Sequence, residues 1–182
     1  MMRSYFGMWI VAAALLFGGN AGAQLQMAQP WTSYKPDGGR FSVEMPRPPK
    51  ETIVQVPTAG GATVPMLEAT AVVPGRASYI VSYVDYPASV TKGAAADVIL
   101  NQVRNGSASG NTVRDEKKLQ LGRAEGREYA VVQANGNVAV TRIYWSRGRL
   151  FQLVVDGKAG IEKQPETRKF LESFAIITPE QR

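Results

Sequence analysis

Short runs that alternate apolar and polar residues occupy most of the chain after residue 30, and most of them end at a glycine or proline turn. Such alternation is typical of strands that bury one face, because successive side chains of a strand point to opposite sides. The turn sequences Pro36-Asp37-Gly38-Gly39 and Asn135-Gly136 each predict a hairpin. The chain is therefore expected to be rich in antiparallel β-structure.

Two segments replace this alternation with helical spacing. Ala96, Ile99 and Leu100 begin an apolar stripe with three- and four-residue intervals, which predicts an amphipathic helix that ends at Gly106. Pro165 opens a second, C-terminal helix. Strands in groups, with helices set apart from them, predict an α+β fold: an antiparallel sheet of two meanders with one central and one C-terminal helix.

The N-terminus has the pattern of a secretory signal peptide. Arg3 precedes an apolar run over 5–17, and the small residues Ala21-Gly22-Ala23 follow. The run is shorter than the roughly 20 residues that a bilayer-spanning helix needs. We expect residues 1–23 to be a signal peptide and residues 24–182, which number 182 − 23 = 159, to form a single domain without a transmembrane segment. The expected location is periplasmic or secreted.

Cysteine and histidine are both absent from the chain. Their absence excludes Ser-His-Asp and Cys-His catalysis, and it excludes thiolate or imidazole zinc sites. An oxygen-only site for calcium needs several carboxylates or carbonyls in one place, and no run of that pattern occurs. We expect no metal and no cofactor.

The pentapeptide "SVTKG" raises one catalytic possibility. Ser89 and Lys92 have the Ser-x-x-Lys spacing of some serine acyl-enzymes, in which a lysine amine takes the proton of the serine. Gly93 follows at once and the helical stripe begins near Ala96, so we interpret Ser89 or Thr91 as the cap of the helix. A small serine hydrolase that uses a Ser89/Lys92 dyad stays the alternative function.

A second conspicuous stretch is "RIYWSRGR", which carries Arg142, Arg147 and Arg149 beside aromatic residues and contains no acidic residue. Arginines among aromatics can bind anionic polymers, so these three are the candidate binding residues. The plainer interpretation, which we favour, is a hairpin with its aromatics in the core and its arginines solvated. Nucleic acid is not an expected partner of an exported protein.

The order of the elements resembles the PsbP-like family of exported α/β proteins. The segments that carry the resemblance are "GGRFSVEMP", "AAADVILNQV", "RIYWSRGRLFQLVV" and "TRKFLESFAI". The resemblance covers most of residues 24–182 and implies a binding scaffold, and it carries no site residues over to this chain. We therefore expect an exported, non-catalytic binding or accessory module of the cell envelope, whose partner is an unknown protein or an anionic envelope component.

Overall fold

The computed structural model describes residues 30–58, 63–91, 93–108 and 110–177. The predicted signal peptide over 1–23 lies outside these residues. The strands are β1 (Thr32–Tyr34), β2 (Phe41–Met45), β3 (Lys50–Pro57), β4 (Thr63–Val73), β5 (Ala77–Asp85), β6 (Thr112–Leu121), β7 (Ala124–Val132), β8 (Asn137–Ser146), β9 (Arg149–Lys158) and β10 (Ala175–Ile176). The helices are α1 (Ala88–Thr91), α2 (Ala96–Ala108) and α3 (Pro165–Glu172), and a 3₁₀ turn spans Ile161–Lys163.

Seven strands form one antiparallel sheet in the order β3-β4-β5-β9-β8-β7-β6. Within β3 to β5 and within β6 to β9, strands that follow one another in the chain are neighbours in the sheet. The pairing of β5 with β9 joins the two groups. The α+β class and the antiparallel pairing are therefore as predicted.

A separate small sheet has the order β1-β2-β10. The hairpin of β1 and β2 follows the turn prediction, whereas the pairing of β10 with β2 was not foreseen in the sequence. The strand β10 has only two residues, of which Ala175 lies opposite Ser42 and Ile176 lies opposite Phe41. The C-terminal strand is thereby held beside the start of β2.

The two faces of the large sheet are covered differently. On one face, Phe41 of β2 and Phe170 and Leu171 of α3 pack against residues such as Tyr79 and Leu153 of the sheet. On the opposite face, α2 contacts β7 and β8, and its Leu100 joins a smaller apolar cluster. Burial of both faces explains why the inner strands are apolar on both sides.

Two local expectations need correction. Helix α2 continues through Gly106 to Ala108, so this glycine does not end it. The amides of Val98 and Ile99 both donate to the carbonyl of Ala95, so Ala95 directly precedes α2 as its cap, and Ser89 and Thr91 do not cap this helix. Those two residues instead belong to the single-turn helix α1.

Pro65 has no backbone N–H donor, which predicts an edge position or a bulge in its strand. It lies opposite Gln55 within β4, which has β3 on one side and β5 on the other. Pairing with β5 begins only at Met66, so β4 has one open side at Pro65. The missing N–H donor is therefore tolerated in a strand that is interior along most of its length.

None of the helices in the described ranges is long and apolar enough to cross a bilayer.

Candidate functional site: a basic cleft at one end of the sheet

A cavity of about 670 Å³ opens at one end of the large sheet, beside β10. We call it the basic cleft, and the side chains that define it are Arg40, Asp85, Leu121, Arg123, Arg147, Arg149, Phe151, Ile176 and Ile177. Its volume lies within the range of about 300–1,000 Å³ that is usual for small-molecule sites. The cleft is large enough for an organic ligand.

The topology of the sheet brings the cleft residues together from distant parts of the chain. Alternate turns of an antiparallel meander lie at the same end of the sheet, so the turn between β6 and β7 and the turn between β8 and β9 share one end. The first turn supplies Arg123 and the second supplies Arg147. Arg40 comes from the start of β2, where its carbonyl accepts a 2.8 Å hydrogen bond from the amide of Ile177.

The position of Arg147 follows from its turn. Arg147 has a φ of 50° and Gly148 a φ of 83°, and positive φ at both central residues is the signature of a tight type I′ hairpin turn. The carbonyl of Gly148 accepts a 2.8 Å hydrogen bond from the amide of Tyr86, which ties the turn to the end of β5. The exposed Arg147 side chain therefore projects from a fixed support.

Arg149 has a different role from Arg147, because its guanidinium is already engaged within the fold. It donates to Asp85 at 2.6 and 2.5 Å, and its Nη1 donates to the carbonyls of Gly38 at 2.7 Å and Gly39 at 2.6 Å. The guanidinium carbon also lies 4.5 Å from the centre of the Tyr83 ring. Arg149 joins the turn that precedes β2 to the ends of β5 and β9.

Asp85 is the carboxylate that faces this arginine. The hydrogen bond from Arg149 lowers the pKa of Asp85 despite the opposing effect of burial, and the charges of Arg149 and Arg40 lower it further. Asp85 is therefore ionised near neutral pH and is engaged with Arg149. It is poorly suited to act as a general acid or base.

The charge of the cleft is strongly unbalanced. Four arginines and one aspartate line it, which gives a net charge of 4 − 1 = +3. Since Arg149 and Asp85 compensate each other, the excess belongs to Arg40, Arg123 and Arg147. All three are exposed, and none makes an ion pair with a carboxylate in the described part of the chain. Guanidinium groups in this state bind carboxylates and phosphates well.

Arg142, the remaining candidate from the sequence, lies away from the cleft. It is 9% exposed, its Nε is hydrogen-bonded to Glu128, and its Nη1 donates to the carbonyl of Leu171 at 2.8 Å. The structure thus places Arg142 between the sheet and α3. Of the three predicted arginines, only Arg147 and Arg149 line the same cavity, and only Arg147 has its guanidinium uncommitted.

Glu128 and Arg142 are buried, and Glu128 is the centre of a cluster of charged side chains. Arg168 and Lys117 also approach this carboxylate, at 2.9 and 3.0 Å. Burial by itself raises the pKa of Glu128, but the hydrogen bonds from Arg142, Arg168 and Lys117 outweigh it and lower the pKa to about 2. This arrangement stabilises the contact between α3 and the sheet, and its charges are satisfied within the fold.

The proposed Ser89/Lys92 dyad gains no support from the structure. Ser89 is exposed on α1 and does not line the basic cleft. Thr91 Oγ1 contacts the carbonyl of Pro87 at 3.5 Å. Lys92 lies outside the described residues, so the dyad itself stays a prediction.

Sequence reasoning missed Arg40 and Arg123. A signal was present, because each follows a glycine at a turn, just as Arg147 precedes one. The signal was not sufficient by itself: Arg76 also follows a turn glycine, Gly75, but lies at the opposite end of β5 from the cleft. Only the arrangement of the turns separates these cases.

Comparison with known proteins identifies the fold of this chain. No protein-family model matches the sequence, and no curated protein matches it. Among solved structures, cyanobacterial PsbP (CyanoP) from Synechocystis sp. PCC 6803 is similar with a TM-score of 0.52 at 12% identity, over 84% of this chain and 95% of that one. A Pseudomonas aeruginosa protein of unknown function matches with a TM-score of 0.43 at 12% identity, over 84% of this chain and 99% of that one. The chain has a PsbP-like fold.

Proposed function

We propose that this chain is an exported, non-catalytic binding or accessory module of the cell envelope that holds an anionic partner in the basic cleft. The observation that carries the proposal is the set of three exposed arginines, Arg40, Arg123 and Arg147, around a cavity of about 670 Å³. Side chains of the same charge around one cleft strengthen the electrostatic field there and attract ligands of the opposite charge.

Two further features support a binding role. Arg149, paired with Asp85, holds the turn before β2 at the wall of the cleft through hydrogen bonds to the carbonyls of Gly38 and Gly39, so this wall is supported by contacts within the fold. The described residues that line the cleft include one carboxylate, Asp85, and it is held ionised by Arg149. Both features favour recognition of charge over proton transfer.

The periplasmic or secreted location is part of this proposal. It rests on the signal-peptide pattern of residues 1–23. The partner is an envelope protein with an acidic surface or another anionic envelope component, and nucleic acid is not proposed.

The experiment is chromatography of two triple variants on phosphocellulose, which carries immobilised phosphate groups. Arg40, Arg123 and Arg147 changed together to Gln should elute at a clearly lower salt concentration than the unmodified protein. The matched control changes Lys50, Lys158 and Lys163 to Gln, which removes the same charge from exposed positions outside the cleft. An equal shift in the two variants would reject the cleft as the binding site, because a diffuse charge effect would then explain retention.

A further inference from the structure

The basic cleft has an apolar wall next to its arginines. Leu121 and Ile176 are partly buried, and Ile177 is 44% exposed. Behind them, Phe151 and Ala124 close the floor and are almost fully buried. A ligand that entered the cleft would therefore meet apolar surface as well as charge.

The apolar and cationic groups are fixed beside each other by the backbone. The amide of Ile177 donates to the carbonyl of Arg40 at 2.8 Å, so the exposed isoleucine is tied to one of the uncommitted arginines. Leu121 and Arg123 are two residues apart on either side of Gly122, in the turn between β6 and β7. Each of these two arginines thus has an apolar neighbour at the same cavity.

The position of apolar side chains beside the arginines discriminates between kinds of anion. A small inorganic anion would engage the arginines but leave the apolar wall in water. A ligand that carries an aliphatic or aromatic portion would also remove apolar area from water, which is favourable by about 25 cal/mol per Å². The cavity of about 670 Å³ has room for both parts.

We propose that the ligand of the basic cleft is an amphipathic anion of small-molecule size. Its phosphate or carboxylate head contacts Arg40, Arg123 and Arg147, and its apolar portion lies against Leu121 and Ile177. The inference rests on the proposed function and specifies the ligand class of that same site. The chemistry is shared by a free amphiphile and by an anionic lipid in a bilayer.

The test compares inorganic phosphate with hexyl phosphate by isothermal titration calorimetry of residues 24–182. Hexyl phosphate should bind at least about tenfold more tightly, since the burial of two methylenes contributes roughly that factor. Ile177→Ser should remove most of the difference and leave phosphate binding unchanged. The matched control is Ile53→Ser, which alters another exposed isoleucine, 67% exposed on β3, and should change neither affinity.

A vesicle arm separates the two sources of the ligand. Sedimentation with vesicles that contain phosphatidylglycerol, reduced by Ile177→Ser, would identify a bilayer lipid. Preference for hexyl phosphate without vesicle binding would identify a free amphiphile. Either result supports the proposal.

The inference and the proposed function fail in different ways. Equal affinity for the two phosphates in the unmodified protein, lost when the three arginines become Gln, would overturn the amphipathic ligand and leave anion binding in place. No binding of either phosphate, together with equal retention of the two triple variants on phosphocellulose, would overturn both.

Discussion

Arg149 and Asp85 lie opposite each other at the paired ends of β9 and β5 and form a two-point ion pair, with Nε to Oδ1 at 2.6 Å and Nη2 to Oδ2 at 2.5 Å. The arginine is 8% exposed as a residue, whereas the aspartate side chain is 63% exposed. The arginine therefore loses more contact with water in this pair than the aspartate does. Arg149 also donates hydrogen bonds to two backbone carbonyls.

Replacement of Arg149 should destabilise the fold more than replacement of its partner. Arg149→Met leaves the carbonyls of Gly38 and Gly39 without their donor and should lower the free energy of unfolding by about 2–4 kcal/mol. Asp85→Asn should cost less, about 1–2 kcal/mol, because the carboxylate is mostly solvated, although its loss leaves the buried Arg149 guanidinium without a charged partner. Urea denaturation measures both. Arg147→Met serves as the control and should stay within about 0.5 kcal/mol, and an equal loss for Arg147 and Arg149 would contradict the structural role.

Glu128 should be among the most sensitive positions of the sheet. The change Glu128→Gln leaves Arg142 buried without its charged partner, which should cost about 3–5 kcal/mol. Glu125→Gln, on the same strand but exposed, is the matched control and should have little effect. The measurement is the unfolding free energy in urea at neutral pH, and a loss below about 1 kcal/mol would show that the cluster is not stabilising.

The same carboxylate predicts a pH dependence. The pKa of Glu128 in the folded protein is about 2, below its ordinary value of 4.5, so the unfolded chain binds the proton more readily. Its contribution to stability is therefore complete above about pH 4.5 and is lost as the pH falls toward 2. Urea denaturation between pH 6 and 2 should show a smaller decline in Glu128→Gln than in the unmodified protein. Parallel declines would refute the assignment.

Gly106 offers a stabilising substitution. It lies inside α2, and a methyl group there would meet no atom within 4 Å. Gly106→Ala should raise the unfolding free energy by about 0.5–1 kcal/mol, since alanine loses less backbone entropy in a helix. Gly126→Ala is the contrasting change, because its new Cβ would lie 2.5 Å from Tyr144 Cδ1 and 2.6 Å from the Ile143 carbonyl oxygen. It should destabilise by about 1–3 kcal/mol, and thermal unfolding distinguishes the two signs.

Export can be tested by mass. If residues 1–23 are a signal peptide, the protein recovered from the envelope or medium of its host should begin at Gln24. Intact mass spectrometry measures this directly. A mass that retains residues 1–23 would reject the cleaved signal, and Ala23→Arg should hinder cleavage because the processing site requires a small residue there.

Local patterns in the sequence were enough for the α+β class, the hairpin before Phe41 and the helix that opens at Pro165. These features depend on neighbours along the chain: alternation of period two, turn glycines and a proline at the first helical position. The prediction that α2 ends at Gly106 was wrong because it depended on the local effect of glycine alone. A glycine weakens a helix only by about 1 kcal/mol, which packing of Leu100 against the sheet can outweigh.

The basic cleft was decided by tertiary structure. Nothing local shows that Arg40 and Arg123 join Arg147, because their proximity depends on which turns share an end of the sheet and on the pairing of β10 with β2. The same holds for Arg142. It looks like its neighbour Arg147 in the sequence, but the register places it opposite Glu128, and a charged side chain can be buried only where such a partner meets it. The sequence by itself determined the kinds of element and the supply of arginines, whereas strand register and sheet order, which are long-range contacts, decided which arginines are structural and which face the cleft.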